Sequence, residues 1–194
     1  MSERQLYDAQ GRRKYLTAAE RERFLRAAEN AARETRTLCL VLAYTGCRIS
    51  EAVNLTADRV DLANGTIIFA SLKKRRTGVY RAVPVPPGVL DALDLVHDLK
   101  ATQKRSRPHK VHLWPWERTT AWRRVQAVMA DTGLKGPQAT PKGLRHGFGV
   151  QAVNAGIPLN MVQKWLGHAQ LSTTAIYANA VGAEEQAIAA RMWD

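Results

Sequence analysis

The sequence predicts an α+β fold, mainly α-helical with one small antiparallel β-sheet or hairpin. Three observations lead there. Residues of high β propensity concentrate in two short runs, 66–71 and 79–85, separated by a basic segment that ends in Gly78. The remainder carries helix start and stop signals in alternation. The chain of 194 residues is 45% hydrophobic and 24% charged, which supplies one core and excludes a disordered polymer.

The elements follow in order. Residues 1–15 are polar and charged and are expected to form a flexible leader, with a single domain over 16–194. Thr17 followed by Glu20 is a capping-box pattern with Leu16 as a staple, so a helix should run to about residue 32 with Phe24, Leu25 and Ala28 inward. A more apolar helix spans 36–43 and breaks at Gly46; a short one spans 48–55. The hairpin follows, its basic tip formed by Lys73, Lys74, Arg75 and Arg76, and Pro84, Pro86 and Pro87 close it. A helix over 89–100 precedes a polar loop at 101–110 and an extended piece at 111–116. Helices are then expected over 120–132, 142–155, from Pro158 to Gly167, over 172–179 and over 183–192. Trp122 and Trp165 sit in helical patterns and read as core; for Trp114 and Trp116, either side of Pro115, packing and ligand contact both stay open.

Charge narrows the function classes. Twenty-nine Lys and Arg against seventeen Asp and Glu leave a net charge of +12, with an isoelectric point near 10.2. A domain this basic is built to meet a polyanion. The basic residues are spread along the chain and not gathered opposite an apolar helix face, which argues against a membrane-surface role. No apolar run is long enough to span a bilayer and the N-terminus lacks a signal-peptide core, so a cytoplasmic protein is expected. Cys39 and Cys47 lie in apolar sequence without metal-ligand spacing and read as buried reduced thiols.

Specific motifs appear at two places. The first is Thr45-Gly46-Cys47-Arg48-Ile49-Ser50-Glu51-Ala52-Val53-Asn54-Leu55. The second runs through Leu144-Arg145-His146, then Leu166-Gly167-His168, then Ser172-Thr173-Thr174-Ala175-Ile176-Tyr177. Together, and in this order, they resemble the two sequence boxes of the tyrosine recombinase, or phage integrase, family. The correspondence runs from about Leu16 to the C-terminus. A lone Leu-Gly-His or a lone tyrosine would mean little; the ordered set is specific.

The resemblance implies the fold of a tyrosine recombinase catalytic domain. It also implies a reaction: site-specific cleavage and rejoining of double-stranded DNA through a 3′-phosphotyrosine, without metal or other cofactor. Such chemistry needs a nucleophile, cations on the non-bridging oxygens and an acid for the leaving alkoxide. Tyr177 is the nucleophile candidate. Arg48 and Arg145 are the phosphate clamps, since a guanidinium is permanently charged and binds two oxygens in fixed geometry. Glu51, one turn after Arg48, is placed to orient it. His168 is expected to hydrogen-bond the phosphate or assist proton transfer, and His146 to support the site from behind. Lys73 is the candidate acid, with Lys74 second; alignment from Thr77-Gly78 puts Arg76 there instead, and arginine is a poor proton donor. Lys74, Arg75 and Arg76 are also candidates for DNA contact. One departure stands out: the family usually has histidine three residues before the second arginine, and this chain has Lys142, a catalytic candidate whose ammonium can contact the phosphate but can take the tyrosine proton only if its pKa falls.

Members of the family often carry an N-terminal domain that clamps the other face of the DNA, whereas here the pattern begins almost at once. A short form is therefore expected, assembling as a tetramer on two DNA sites and depending on protein contacts or a helper DNA-binding protein. For 182–194, docking on a neighbouring protomer and folding back on the same domain both stay open. The alternatives are a DNA-binding module that kept the fold and lost the chemistry, favoured by Lys142, and a type IB topoisomerase-like strand relaxer. A metal-dependent nuclease is weakest, because no carboxylate or histidine cluster has ligand spacing.

Overall fold

The computed structural model describes residues 5–70 and 78–179, together with Gln186, Ala189, Ala190 and Met192. It is mainly helical with one three-stranded antiparallel sheet. Thr17 caps α1 (Ala18–Glu29): its hydroxyl accepts from the Glu20 N–H while the Glu20 carboxylate accepts from the Thr17 N–H, the reciprocal pair expected. Helix α2 (Arg33–Thr45) is the apolar centre and packs against α1 and four later helices. Leu38, Val41 and Leu42 are buried there, as are the free thiols of Cys39 and Cys47. Gly46 ends α2 with φ 59°, a left-handed conformation open to glycine. A Cβ at this position would also fall 2.7–2.9 Å from Phe148 and Leu166 side-chain atoms.

The short helix α3 (Ile49–Val53) leads to β1 (Val60–Asp61), β2 (Thr66–Ala70) and β3 (Tyr80–Pro84), in the spatial order β1-β2-β3. Ile67 pairs with Val83 and Phe69 with Arg81, so all four side chains share one face. That face is the core side, where Ile67, Phe69 and Val83 are buried. The hairpin tip, with Lys73, Lys74, Arg75 and Arg76, lies outside the described residues.

The helix expected over 89–100 is two helices, α4 (Pro87–His97) and α5 (Leu99–Gln103), divided at Asp98 with φ 50°. Part of the expected loop at 101–110 is thus helical. Thr102 is buried, and the Gln103 amide donates to the carbonyls of Ala57 and Val60, which anchors a polar segment that composition alone assigns to solvent. Trp114 is core: it is buried and its indole N–H donates to the Glu34 carbonyl at 2.8 Å. Helices α6 (Arg118–Asp131), α7 (Pro141–Asn154), α8 (Leu159–Leu166) and α9 (Ser172–Ala175) follow, and a 3-10 turn, Ile176–Asn179, continues α9. Trp122 of α6 is not core; it is 45% exposed, while Trp165 packs against the core half-buried.

The expected flexible leader is folded from Gln5 onward. Leu6 and Tyr15 are buried, Tyr7 and Arg13 form a β-bridge, and the Arg13 guanidinium forks onto Glu20 of α1. Its charged composition hid two buried apolar residues and a cation whose partner lies seven residues on. Leu6 and Tyr15 share a second, smaller core with Val150, Ala152, Val162, Leu166 and Tyr177. Most of 182–194 lies outside the described residues, so the expected docking helix does too. Among the described residues no helix is long and apolar enough to cross a membrane.

Candidate active site

Helix α7 begins with Thr140, whose hydroxyl accepts from the Gly143 N–H, and Pro141 in the first turn. Starting the helix there places Lys142, Arg145, His146 and Gly149 along one stripe, three and four residues apart. Lys142, Arg145 and His146 of that stripe form one wall of a cleft of about 920 Å³. Arg48, at the start of α3, His168, just after α8, and Tyr177 complete the lining, with Arg118 and Trp122 from α6. Six of the site residues singled out in the sequence thus meet at one cleft: Arg48, Lys142, Arg145, His146, His168 and Tyr177.

Each side chain is held by identifiable contacts. Arg145 is buried and donates through Nη1 to the Gly46 carbonyl and through Nη2 to the Leu166 carbonyl, both at 2.7 Å. Those carbonyls end α2 and α8, where helices leave acceptors without internal partners. Burial, followed by the nearby Arg48 cation, pushes the Arg145 guanidinium down to about 10, which still leaves it charged at neutral pH. Glu51 lies just behind the cleft. It accepts from the Arg48 backbone N–H at 2.8 Å and from Arg48 Nη1 at 3.2 Å, while the Arg48 side chain stays 45% exposed.

Arg81, which the sequence reading did not single out, fills the other side of Glu51. It donates to both carboxylate oxygens, at 3.1 and 2.7 Å, and through Nε to the Trp165 carbonyl at 2.7 Å. Its side chain is 9% exposed and lies over the Phe69 ring. Burial alone would raise the Glu51 carboxyl, but the Arg81 fork and the Arg48 contacts outweigh it and hold the group below its ordinary range. A sequence signal existed: Arg81 alternates in step with Val83 and Val85, so it occupies an inward position where a charge needs a partner.

Tyr177 is 1% exposed. Its ring stacks on His168, with centroids 6.1 Å apart and planes 15° apart, and lies against Gly149. A Cβ at Gly149 would come within 2.6 Å of three ring carbons, so a glycine lets the ring lie on the helix. The Tyr177 hydroxyl is 3.4 Å from His146 Nδ1. Burial raises the phenol above its ordinary value, and the Arg145 and Arg48 cations pull it back in part. His168 Nδ1 is 2.9 Å from the hydroxyl of Thr174, a fully buried residue whose role the motif spacing alone did not reveal. Among the described residues no three His, Cys, Asp or Glu side chains form a metal-holding group.

The buried histidines predict an acid-sensitive fold. Burial first, then Lys142, Arg145 and Lys14, push His146 from 6.5 down to about 3. Burial first, then Arg145 and Arg48, do the same to His168. His97, half-buried beside Trp114, shifts in the same direction because of that burial. The folded chain therefore refuses protons that the unfolded chain accepts below about pH 6.5. Stability is present above that pH and drains away as pH falls toward 3. His146 alone should remove about 2 kcal/mol between about pH 6.5 and pH 5, and the more exposed His168 less, because solvent screens it. Urea unfolding at the two pH values checks this; His146→Asn should flatten the slope, and a slope that persists unchanged in that variant would refute the assignment.

Comparison with known proteins agrees with this geometry. Residues 14–183 match the model of the phage integrase family. The chain is 31% identical over 173 residues to the tyrosine recombinase XerA of Thermococcus kodakarensis, covering 84% of this chain and 57% of that protein. It is 33% identical over 164 residues to the tyrosine recombinase XerD of Pseudomonas aeruginosa, covering 80% of this chain and 53% of the relative. The chain thus spans little more than half the length of these relatives. Among solved structures, XerA recombinase superimposes with a TM-score of 0.77 at 26% identity, over 93% of this chain and 65% of that one. XerH bound to its difH substrate before cleavage gives a TM-score of 0.72 at 21% identity, over 97% and 60%. The fold is that of a tyrosine recombinase catalytic domain, and the chain belongs to the phage integrase family of tyrosine recombinases.

Proposed function

We propose that this chain is a site-specific recombinase that cuts and rejoins double-stranded DNA through a 3′-phosphotyrosine at Tyr177. The observation that carries the reading is the convergence of Arg48, Lys142, Arg145, His168 and Tyr177 on one cleft. Arg48 and Arg145 hold the non-bridging oxygens of the scissile phosphate, and Lys142 adds a third cation. His168 donates a hydrogen bond to the same group, and Glu51 aims Arg48. The Tyr177 hydroxyl oxygen attacks phosphorus and the bond to the 5′-oxygen breaks. The phosphotyrosine conserves the bond for religation, so no external energy source enters. Lys73 at the hairpin tip, or Lys74 beside it, protonates the leaving oxygen, while Lys74, Arg75 and Arg76 contact DNA. Arginines supply the charge that a metal or cofactor supplies elsewhere.

The net charge of +12 supports DNA as the partner, with affinity that falls steeply as salt rises. A tetramer on two DNA sites, a helper DNA-binding protein and a docking role for 182–194 complete the proposal, acting in the cytoplasm where the DNA lies. Lys142, in place of the usual histidine, favours a second reading, a binding module without strand cleavage.

Nicked suicide duplexes spanning the DNA around the chain's own gene separate the two. On denaturing gels the wild-type protein should give a covalent protein–DNA band. The Tyr177→Phe variant should lower it by at least about a thousandfold, as for loss of a nucleophile. Retention of DNA without a band on any duplex would overturn the recombinase reading in favour of the binding module.

A further inference from the structure

His146 stands out among the buried polar groups. It is 5% exposed, its Nδ1 faces the Tyr177 hydroxyl at 3.4 Å, and its Nε2 has no hydrogen-bond partner among the described residues. An unpartnered buried ring nitrogen is destabilising, and a role in catalysis is one reason a native fold keeps such a group. Lys142 lines the same cleft but is exposed, and an ammonium offers no lone pair to receive a proton.

We propose that His146 receives the Tyr177 proton during strand cleavage and returns it during religation, an assignment that rests on the strand-cleavage reading above. In the forward step the Tyr177 O–H proton passes to His146 Nδ1 as the tyrosine oxygen bonds to phosphorus. The bond from phosphorus to the 5′-oxygen breaks, and that oxygen leaves with the electron pair and takes a proton from the hairpin lysine or water. In the reverse step the 5′-hydroxyl attacks, the phosphotyrosine bond breaks and Nδ1–H reprotonates Tyr177. The groups facing His146 set the conditions: Lys142 and Arg145 on its own helix, Lys14 from the N-terminal segment, His168 after α8, and Tyr177 itself. With burial these cations keep the imidazole neutral in the free protein, which leaves a ring nitrogen open to act as acceptor. The extra negative charge of the pentacoordinate phosphate, arriving in the same cleft, raises its basicity when the proton must move.

Single-turnover cleavage of nicked suicide duplexes tests the assignment. His146→Asn keeps a hydrogen-bonding group near the phenol but cannot take up its proton. It should slow covalent complex formation by about 10²–10⁴-fold, with DNA retention unchanged. Cleavage within about threefold of wild type would overturn the proposal and leave His146 a positioning residue. Should the variant not fold, the wild-type protein decides on a duplex with sulfur replacing the bridging 5′-oxygen, a leaving group that needs no acid. In the DNA complex the phosphate lifts His146 from its value of about 3 in the free protein, so the rate should fall with one proton toward acid at a pH above that at which the free chain unfolds, and a profile that stays flat down to that unfolding would overturn the proposal. Tyr177→Phe run alongside separates the two claims. If it abolishes the band while His146→Asn cleaves normally, only the His146 assignment fails. If the wild-type protein gives no band, or Tyr177→Phe keeps it, the strand-cleavage reading fails and the assignment falls with it.

Discussion

Arg145→Lys should abolish most strand cleavage while leaving DNA retention at low salt close to wild type. The Arg145 guanidinium bridges two helix ends, giving one terminal nitrogen to the Gly46 carbonyl and the other to the Leu166 carbonyl, and still faces the cleft. Those bonds use two of its five N–H groups and fix the plane of the fork, so the remaining donors are already aimed when a phosphate arrives. A lysine ammonium keeps the charge but cannot satisfy both carbonyls and present a planar pair of donors. Losing a preorganised donor to a developing oxyanion costs about 10²–10³-fold in rate. Each buried carbonyl left without a donor costs about 1–3 kcal/mol of stability. The covalent-band rate and urea unfolding should therefore fall together. Cleavage within tenfold of wild type would mean that Arg145 is a structural tie between α2 and α8 and no phosphate ligand.

Glu51→Gln should destabilise the fold by about 3–5 kcal/mol, the usual consequence of removing one partner of a buried ion pair. The carboxylate is 3% exposed and lies between two cations, one of which, Arg81, is almost as deeply buried. The glutamine amide keeps one acceptor oxygen but no charge and turns its other arm into a donor, so Arg81 loses its ionic partner and one of its two bonds to residue 51, and Arg48 loses the carboxylate that orients it. Arg81→Met should be destabilising by a similar amount for the converse reason. The double variant Glu51→Gln/Arg81→Met should recover much of the loss, because no unpaired charge is then buried. Cleavage should not recover with it: Arg48 would still lack its orienting carboxylate, and misplacement of about 1 Å costs on the order of 10²-fold. Urea unfolding and covalent-band rates for the two single variants and the double one complete the test. Strict additivity of the stabilities would refute the buried pair as the linking element.

Some features could be read directly from the chain because their physics is local. The capping box at Thr17 and Glu20 needs only residues three apart. The same holds for Gly46 and Gly167, the left-handed glycines that end α2 and α8. The period of two in 66–70 and 80–84 marks a hairpin whatever surrounds it. The residues Arg48, Arg145, His168 and Tyr177 could be named because the ordered motifs that hold them resemble those of the tyrosine recombinase family.

Other features needed the folded chain. The break at Asp98, the burial of Leu6 and Tyr15 and the exposure of Trp122 depend on which surfaces are covered, and hydropathy does not record this. The site's framework is the clearest case. Arg81 meets Glu51 across 30 residues and the Trp165 carbonyl across 84, while Arg145 meets Gly46 across 99. The sequence by itself determined most of the helices and the hairpin strands and, through the family resemblance, six of the residues that line the cleft. Only the tertiary structure decided which carbonyls and which carboxylate hold the two buried arginines. A buried cation takes whatever acceptor packing brings within reach, and no local periodicity encodes that choice.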